Sequence, residues 1–164
     1  MRIGILGSGL MGAKLGTLFA RAGHEVVFSY ARSELKLTRL AHEAGTRARA
    51  GTPAEAASEA DALLLAVHWS SVDEVLQQAG TLEGKILISC SLPMNADDTA
   101  LIVGHSSSGA EELARKIPRA RVVAAFSTLP SEVLFSVFDA RGKADPPNLV
   151  YCGTMSRLKS SRPG

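Results

Sequence analysis

The run Gly7-Ser8-Gly9-Leu10-Met11-Gly12 spaces three glycines as G-x-G-x-x-G. That spacing suits the binding of a diphosphate by backbone N–H groups where a strand passes into a helix. Gly7 is expected to make the tight turn, Gly9 to let the backbone approach the phosphates, and Gly12 to let the helix pack on the strands. The helix N-terminus adds unpaired N–H groups and the positive end of a dipole. A glycine-rich structural turn would show the same bare pattern. Here, however, it follows the apolar run at 2–6, opens an amphipathic helix and leads to a second strand about 20 residues on, which points to a dinucleotide site.

The end of that second strand tells one dinucleotide from another. A ribose 2′-hydroxyl calls for a carboxylate there. This chain has Ser29-Tyr30-Ala31-Arg32-Ser33, with Lys36 one turn further on, and Glu25 only at the strand's start. A guanidinium, an ammonium and two hydroxyls match a 2′-phosphate, because Arg binds phosphate through paired charge-assisted bonds. NADP(H) is therefore expected over NAD(H). A solvated basic helix start, with Glu34 beside it, is the plainer reading of the same residues.

His68-Trp69 follows the apolar run Leu63-Leu64-Leu65-Ala66-Val67. Trp69 could wall a cofactor, and His68 could donate a hydrogen bond or titrate near neutrality, though both also suit simple packing. Asp97-Asp98 reads as a solvated turn. No Ser-His-Asp order, HExxH, P-loop or paired-carboxylate pattern appears, and no residue is nominated as catalytic. Cys90 and Cys152 lack metal or CxxC spacing and read as small hydrophobes in strands.

The elements that must position these residues alternate along the chain. Strands are expected at 2–6, 25–29, 46–50, 62–67, 85–90, 121–126 and 148–152. Runs apolar at every position imply strands buried on both faces. Between them, Met11, Leu15, Leu18, Phe19 and Ala22 make one helical stripe. Thr52-Pro53-Ala54-Glu55, Ser71-Val72-Asp73-Glu74 and Ser108-Gly109-Ala110-Glu111 are spaced as capping boxes. The pattern predicts an α/β fold with a doubly wound, mostly parallel sheet of Rossmann type over 1–153. The irregular stretch at 91–104 falls just after a strand, where open α/β sheets place their ligand crevice.

Of the 164 residues, 46% are apolar, 21% charged and 5% aromatic, as in a globular chain able to close a core. The 18 basic and 16 acidic residues leave +2, and Arg157, Lys159 and Arg162 all lie in the last stretch, 154–164. The body is thus near neutral, which argues against nucleic acid as a partner. No apolar run approaches the roughly 20 residues of a membrane span, and no signal peptide is visible. A reduced, cytoplasmic, soluble protein is expected.

The stretches Gly4-Ile5-Leu6-Gly7-Ser8-Gly9-Leu10-Met11-Gly12, Ala22-Gly23-His24-Glu25-Val26-Val27 and 29–33 resemble the coenzyme F420-dependent NADP oxidoreductases. So do Ser108-Gly109-Ala110-Glu111-Glu112-Leu113-Ala114 and the run 121–128, which is similar to a family stretch ending in an Ala-Phe-Asn-Thr type motif. The resemblance spans roughly 1–153. It implies that residues 7–12 (Gly7, Ser8, Gly9, Leu10, Met11 and Gly12) hold the diphosphate. Ser29, Tyr30, Arg32, Ser33 and Lys36 fall at the 2′-phosphate. Val67, His68, Trp69, Ser91, Leu92, Pro93, Phe126, Ser127 and Thr128 would border the nicotinamide and substrate. Ser127 stands where many relatives carry Asn, and His68 where many carry Pro.

The activity the resemblance implies is hydride transfer between nicotinamide and a deazaflavin, coenzyme F420, or a similar small acceptor. Such chemistry resides in the two cofactors, with the protein supplying position and exclusion of water. Residues 154–164 depart from the family pattern and read as a short, disordered basic tail. A frameshifted, truncated gene product would account for them, and would leave the chain without the family's C-terminal substrate wall and with a weakened homodimer. On that account the alternative function is an NADP(H)-binding module without turnover.

Overall fold

The computed structural model describes residues 1–143, 145 and 147–153, so the expected tail over 154–164 lies outside the described residues. Strands β1 (Arg2–Leu6), β2 (Glu25–Ser29), β3 (Ala48–Ala50), β4 (Ala62–Leu65), β5 (Ile86–Ser89), β6 (Arg121–Ala125) and β7 (Tyr151–Gly153) form one sheet. Its order is β3-β2-β1-β4-β5-β6-β7. The first six strands are parallel, and β7 runs antiparallel to β6, with Ala125 opposite Tyr151. The strand order reverses between β1 and β4, and their carboxyl ends open the crevice where such sheets bind ligands.

Six helices, α1 (Leu10–Arg21), α2 (Glu34–Ala44), α3 (Pro53–Glu59), α4 (Val72–Ala79), α5 (Gly109–Lys116) and α6 (Leu134–Asp139), cover the two faces. One core cluster joins Leu63, Leu65, Leu87 and Val122 of the sheet to Ala56, Val75 and Leu113 of α3, α4 and α5. The other joins Ile5, Phe28 and Leu64 to Leu15, Leu18, Leu37 and Leu134 of α1, α2 and α6. Consecutive leucines 63–65 therefore point to alternate faces and are all fully buried, which is why the run shows no alternation.

At the connection from β4 to α4 two sequence expectations differ from the structure. The strand expected at 62–67 leaves the ladder after Leu65, because the chain turns toward His68, which caps a 3₁₀ turn at Trp69–Ser71 ahead of α4. That turn prevents the capping box expected at Ser71, and the Glu74 carboxylate instead accepts from Tyr30.

The box at Thr52 forms in full: the Thr52 N–H donates to Glu55 at 2.7 Å and the Glu55 N–H donates to Thr52 Oγ1 at 3.2 Å. The Thr52 N–H, then the Thr52 hydroxyl, hold the Glu55 carboxyl below its ordinary pKa. The N–H and guanidinium of Arg2 do the same for Asp61. Carboxyls depressed in the folded state add stability that is complete above the unfolded carboxylate pKa, about 4, and is lost as pH falls through the folded value. The melting temperature is expected to stay level from about pH 7 to 5 and to fall below about pH 4. Glu55→Gln with Asp61→Asn should shrink that fall, and an unchanged pH profile in the double variant would refute the assignment.

Candidate dinucleotide site

The chain leaves β1 at Gly7 with φ +108°, where a Cβ would lie 2.5 Å from both the Ala66 carbonyl oxygen and Val67 Cγ1. Its N–H donates to the Ser29 carbonyl at 3.2 Å, and the Ser8 N–H to that of Tyr30 at 3.1 Å, tying the turn to the end of β2. Gly9 then caps α1 with its backbone alone: no side chain caps this helix, and its first turn carries no acid. The first N–H groups of α1 thus lack an intrahelical acceptor and face outward. A Cβ at Gly9 would meet nothing within 4 Å, so space is open above those N–H groups. A Cβ on Gly12 would overlap the Gly7 carbonyl oxygen, so Gly12 packs α1 on its own turn as well as on the strands.

Behind this cradle two hydroxyls are engaged internally. Ser8 Oγ donates to the Ser29 carbonyl at 2.9 Å, and Ser29 Oγ donates to the Ile5 carbonyl at 2.7 Å. Both serines are buried. Ser29, expected at the 2′-phosphate, sits inside the sheet and braces β1 against β2. Leu10 is exposed at the rim, and Met11 is half-buried on the α1 face of the core.

A cleft of about 550 Å³ runs from Gly7, Gly9 and Leu10 past Tyr30, Arg32 and Lys36 to Val67, His68 and Ser71. Arg32 and Lys36 are exposed and form no ion pair among the described residues. Ser33 Oγ caps α2 by accepting from the Lys36 N–H at 3.3 Å, which sets both cations at the start of that helix. Tyr30 adopts the left-handed conformation, φ 55°, and its hydroxyl donates to Glu74 Oε2 at 3.0 Å. Burial pushes the Tyr30 phenol above its ordinary pKa, so it stays a neutral donor.

The opposite wall is Val67 and His68. The Ser70 N–H donates to His68 Nδ1 at 3.2 Å, leaving Nε2 to donate to Asp98 Oδ1 at 3.0 Å in the neutral ring. Asp98, expected as part of a solvated turn, is thus the partner of His68, and it too lies in the left-handed region, φ 56°. Ser91 Oγ donates to the Val67 carbonyl at 2.7 Å. Trp69 does not line this cleft. It lies beside Pro93 and Gly109, where a Cβ on Gly109 would come within 3.3 Å of both rings.

Leu92, Ser127 and Thr128 are exposed, and half-buried Phe126, φ 66°, packs on the α1 and α6 face of the core. Tyr30, Asp98, His105 and Phe126 thus place four non-glycine left-handed residues in the segments that follow β2, β5 and β6, beyond the sheet's carboxyl edge, where functional sites gather.

Sequence reasoning passed over Ala13, Lys14, Ala66 and Ser71, which also line the cleft. Lys14 was detectable, since helical side chains lean toward the N-terminus and its position falls one turn past the start of α1 at Leu10. The Cys90 thiol donates to the Leu65 carbonyl, and burial pushes its pKa up to about 11, so it is no nucleophile. No group of three metal-ligating side chains occurs among the described residues. Nor is any helix among them long and apolar enough to cross a membrane. The arrangement fits a phosphorylated dinucleotide: an uncapped helix start, open space over Gly9 and two cations just past β2 that form no ion pair among the described residues.

The model of one family, described as NADP oxidoreductase coenzyme F420-dependent, matches residues 2–93, more than half of the chain. Among solved structures, an F420-dependent NADP reductase, so named, from Arthrobacter sp. FB24 superposes with a TM-score of 0.79 at 24% identity, over 95% of this chain and 74% of that one. A hypothetical protein from Sinorhizobium meliloti gives 0.76 at 25% identity, over 95% and 75%. A reductive aminase from Aspergillus terreus, solved with NADPH and ethyl levulinate, gives 0.61 at 21% identity, over 80% and 42%.

Proposed function

This chain belongs to the family of coenzyme F420-dependent NADP oxidoreductases, and on that premise we propose that it binds NADPH and passes its hydride to a deazaflavin or similar small acceptor. The observation that carries the NADPH half is the pair Arg32 and Lys36 at the end of β2, exposed, unpaired among the described residues and opening on the same cleft as Gly9.

The chain's own groups bind and orient. The first-turn N–H groups of α1 hold the diphosphate, and Gly9 admits it. Arg32 grips the 2′-phosphate as a planar fork, with Lys36 adding a point charge. Val67 and His68 wall the cleft, and the Ser91 and Asp98 bonds keep that wall in place. When bound, the nicotinamide supplies the hydride, chemistry that needs position and exclusion of water more than an acid or base. Among the described residues, none that lines the cleft carries a carboxylate or a thiol.

The test is paired titration of the protein with NADPH and NADH, followed by mixing with a deazaflavin. NADPH is expected to bind at least about tenfold tighter, some 1.4 kcal/mol, and loss of deazaflavin absorbance should track NADPH oxidation. Equal affinity for the two nucleotides would discard the 2′-phosphate clamp. NADPH binding without oxidation by any acceptor would favour a binding module without turnover.

A further inference from the structure

We infer that Lys14 is a further dinucleotide-binding residue, its ammonium contacting the diphosphate on the side away from Arg32 and Lys36; this rests on the NADPH reading. Lys14 lines the same cleft as Gly7, Gly9 and Leu10. Its Cα lies four residues past Leu10, a rise of about 6 Å. Its four-carbon stem spans a similar length and leans toward the helix N-terminus. An extended stem is thus long enough to bring the ammonium to the level of the uncapped first turn.

Its bonding leaves capacity for an anion. Nζ donates to the Ser131 carbonyl at 2.9 Å, one of three available donors, and makes no ion pair among the described residues. Ser131 is itself buried, so this carbonyl anchors the stem firmly. The nearby Glu132 carboxyl is held below its ordinary pKa first by its own N–H, then by the Ser131 hydroxyl, with Lys14 acting only at longer range. Lys14 is therefore a half-buried cation, tethered to one carbonyl, beside a helix terminus that already favours negative charge.

A two-ligand comparison separates the contact from a tether. NADPH carries the diphosphate, whereas adenosine 2′-monophosphate carries the 2′-phosphate and lacks it. Lys14→Met is expected to weaken NADPH roughly tenfold, in the range of a charge-assisted bond at a wet site, and to leave adenosine 2′-monophosphate within twofold. Lys14→Arg should restore most of the NADPH affinity. Unchanged NADPH affinity in Lys14→Met overturns the inference. So does an equal loss for both ligands with a lowered melting temperature, which marks a purely structural tether to Ser131. If the unaltered protein binds neither ligand, the NADPH reading itself fails.

Discussion

Gly9→Ala is expected to abolish most NADPH binding in a protein that melts like the parent, while Gly12→Ala is expected to lose both binding and stability. The two glycines belong to one motif, but their surroundings are opposite. At Gly9 the backbone, φ −75° and ψ −160°, is open to any residue, and a Cβ would touch nothing within 4 Å. The methyl would occupy only the space through which a diphosphate approaches the α1 N–H groups. Overpacking of about 1–3 kcal/mol there would appear in the bound state alone, a loss of roughly tenfold to a hundredfold.

At Gly12 the added Cβ would overlap the Gly7 carbonyl oxygen and come within 3.2 Å of Ala66 Cβ. Neither neighbour can swing aside, because Gly7 is fixed by its own turn and Ala66 by its bond to the Leu6 carbonyl. Helix α1 must lift, at a cost of about 3 kcal/mol, and the cradle goes with it. Thermal melts and NADPH titrations of both variants check the contrast. A Gly9→Ala protein that binds NADPH normally would show that the phosphates do not lie over α1.

The glycine loop was legible in sequence because all its determinants lie within a few residues of one another. The same holds for the box at Thr52. The parallel, doubly wound sheet followed from runs such as 63–65, whose burial on both faces demands helices on each side. What escaped was long-range. Asp98 meets His68 across a separation of 30 residues, and nothing local marks it as more than a turn residue.

Ser29, the last residue of its strand, was expected at the 2′-phosphate, since a strand buried on both faces gives no alternation by which to tell an inward serine from an outward one. Its hydroxyl found the Ile5 carbonyl on the neighbouring strand, a partner set by sheet order. The Ser71 box failed although Ser71 does precede α4, because the 3₁₀ turn at Trp69–Ser71 holds it at φ −99° and ψ 0°, outside the extended conformation a side-chain cap needs. At β7, expected at 148–152, the described strand is Tyr151–Gly153 on an exposed edge, where little side-chain burial fixes the register.

Arg32→Glu is expected to invert the nucleotide preference, and the reason lies in what Arg32 does not do in the free protein. It is exposed and forms no ion pair among the described residues, so its replacement removes no internal contact and the melting temperature should hold. A charge-assisted contact to the 2′-phosphate contributes about 1.5–3 kcal/mol, and a carboxylate in its place adds repulsion. NADPH affinity is therefore expected to fall by roughly a hundredfold or more. NADH lacks the phosphate, and the introduced carboxylate would offer its ribose 2′-hydroxyl an acceptor, so NADH affinity should hold or rise slightly. Lys36→Ala alone should cost NADPH less, since a lysine acts there as a point charge and not a fork. The double change is not expected to add, because both groups face one phosphate. Raising the salt should narrow the NADPH advantage of the parent protein and leave NADH binding little changed, since exposed charges are screened. Equal losses of NADPH and NADH in Arg32→Glu would place the guanidinium on a part common to both nucleotides and remove the 2′-phosphate from its side of the cleft.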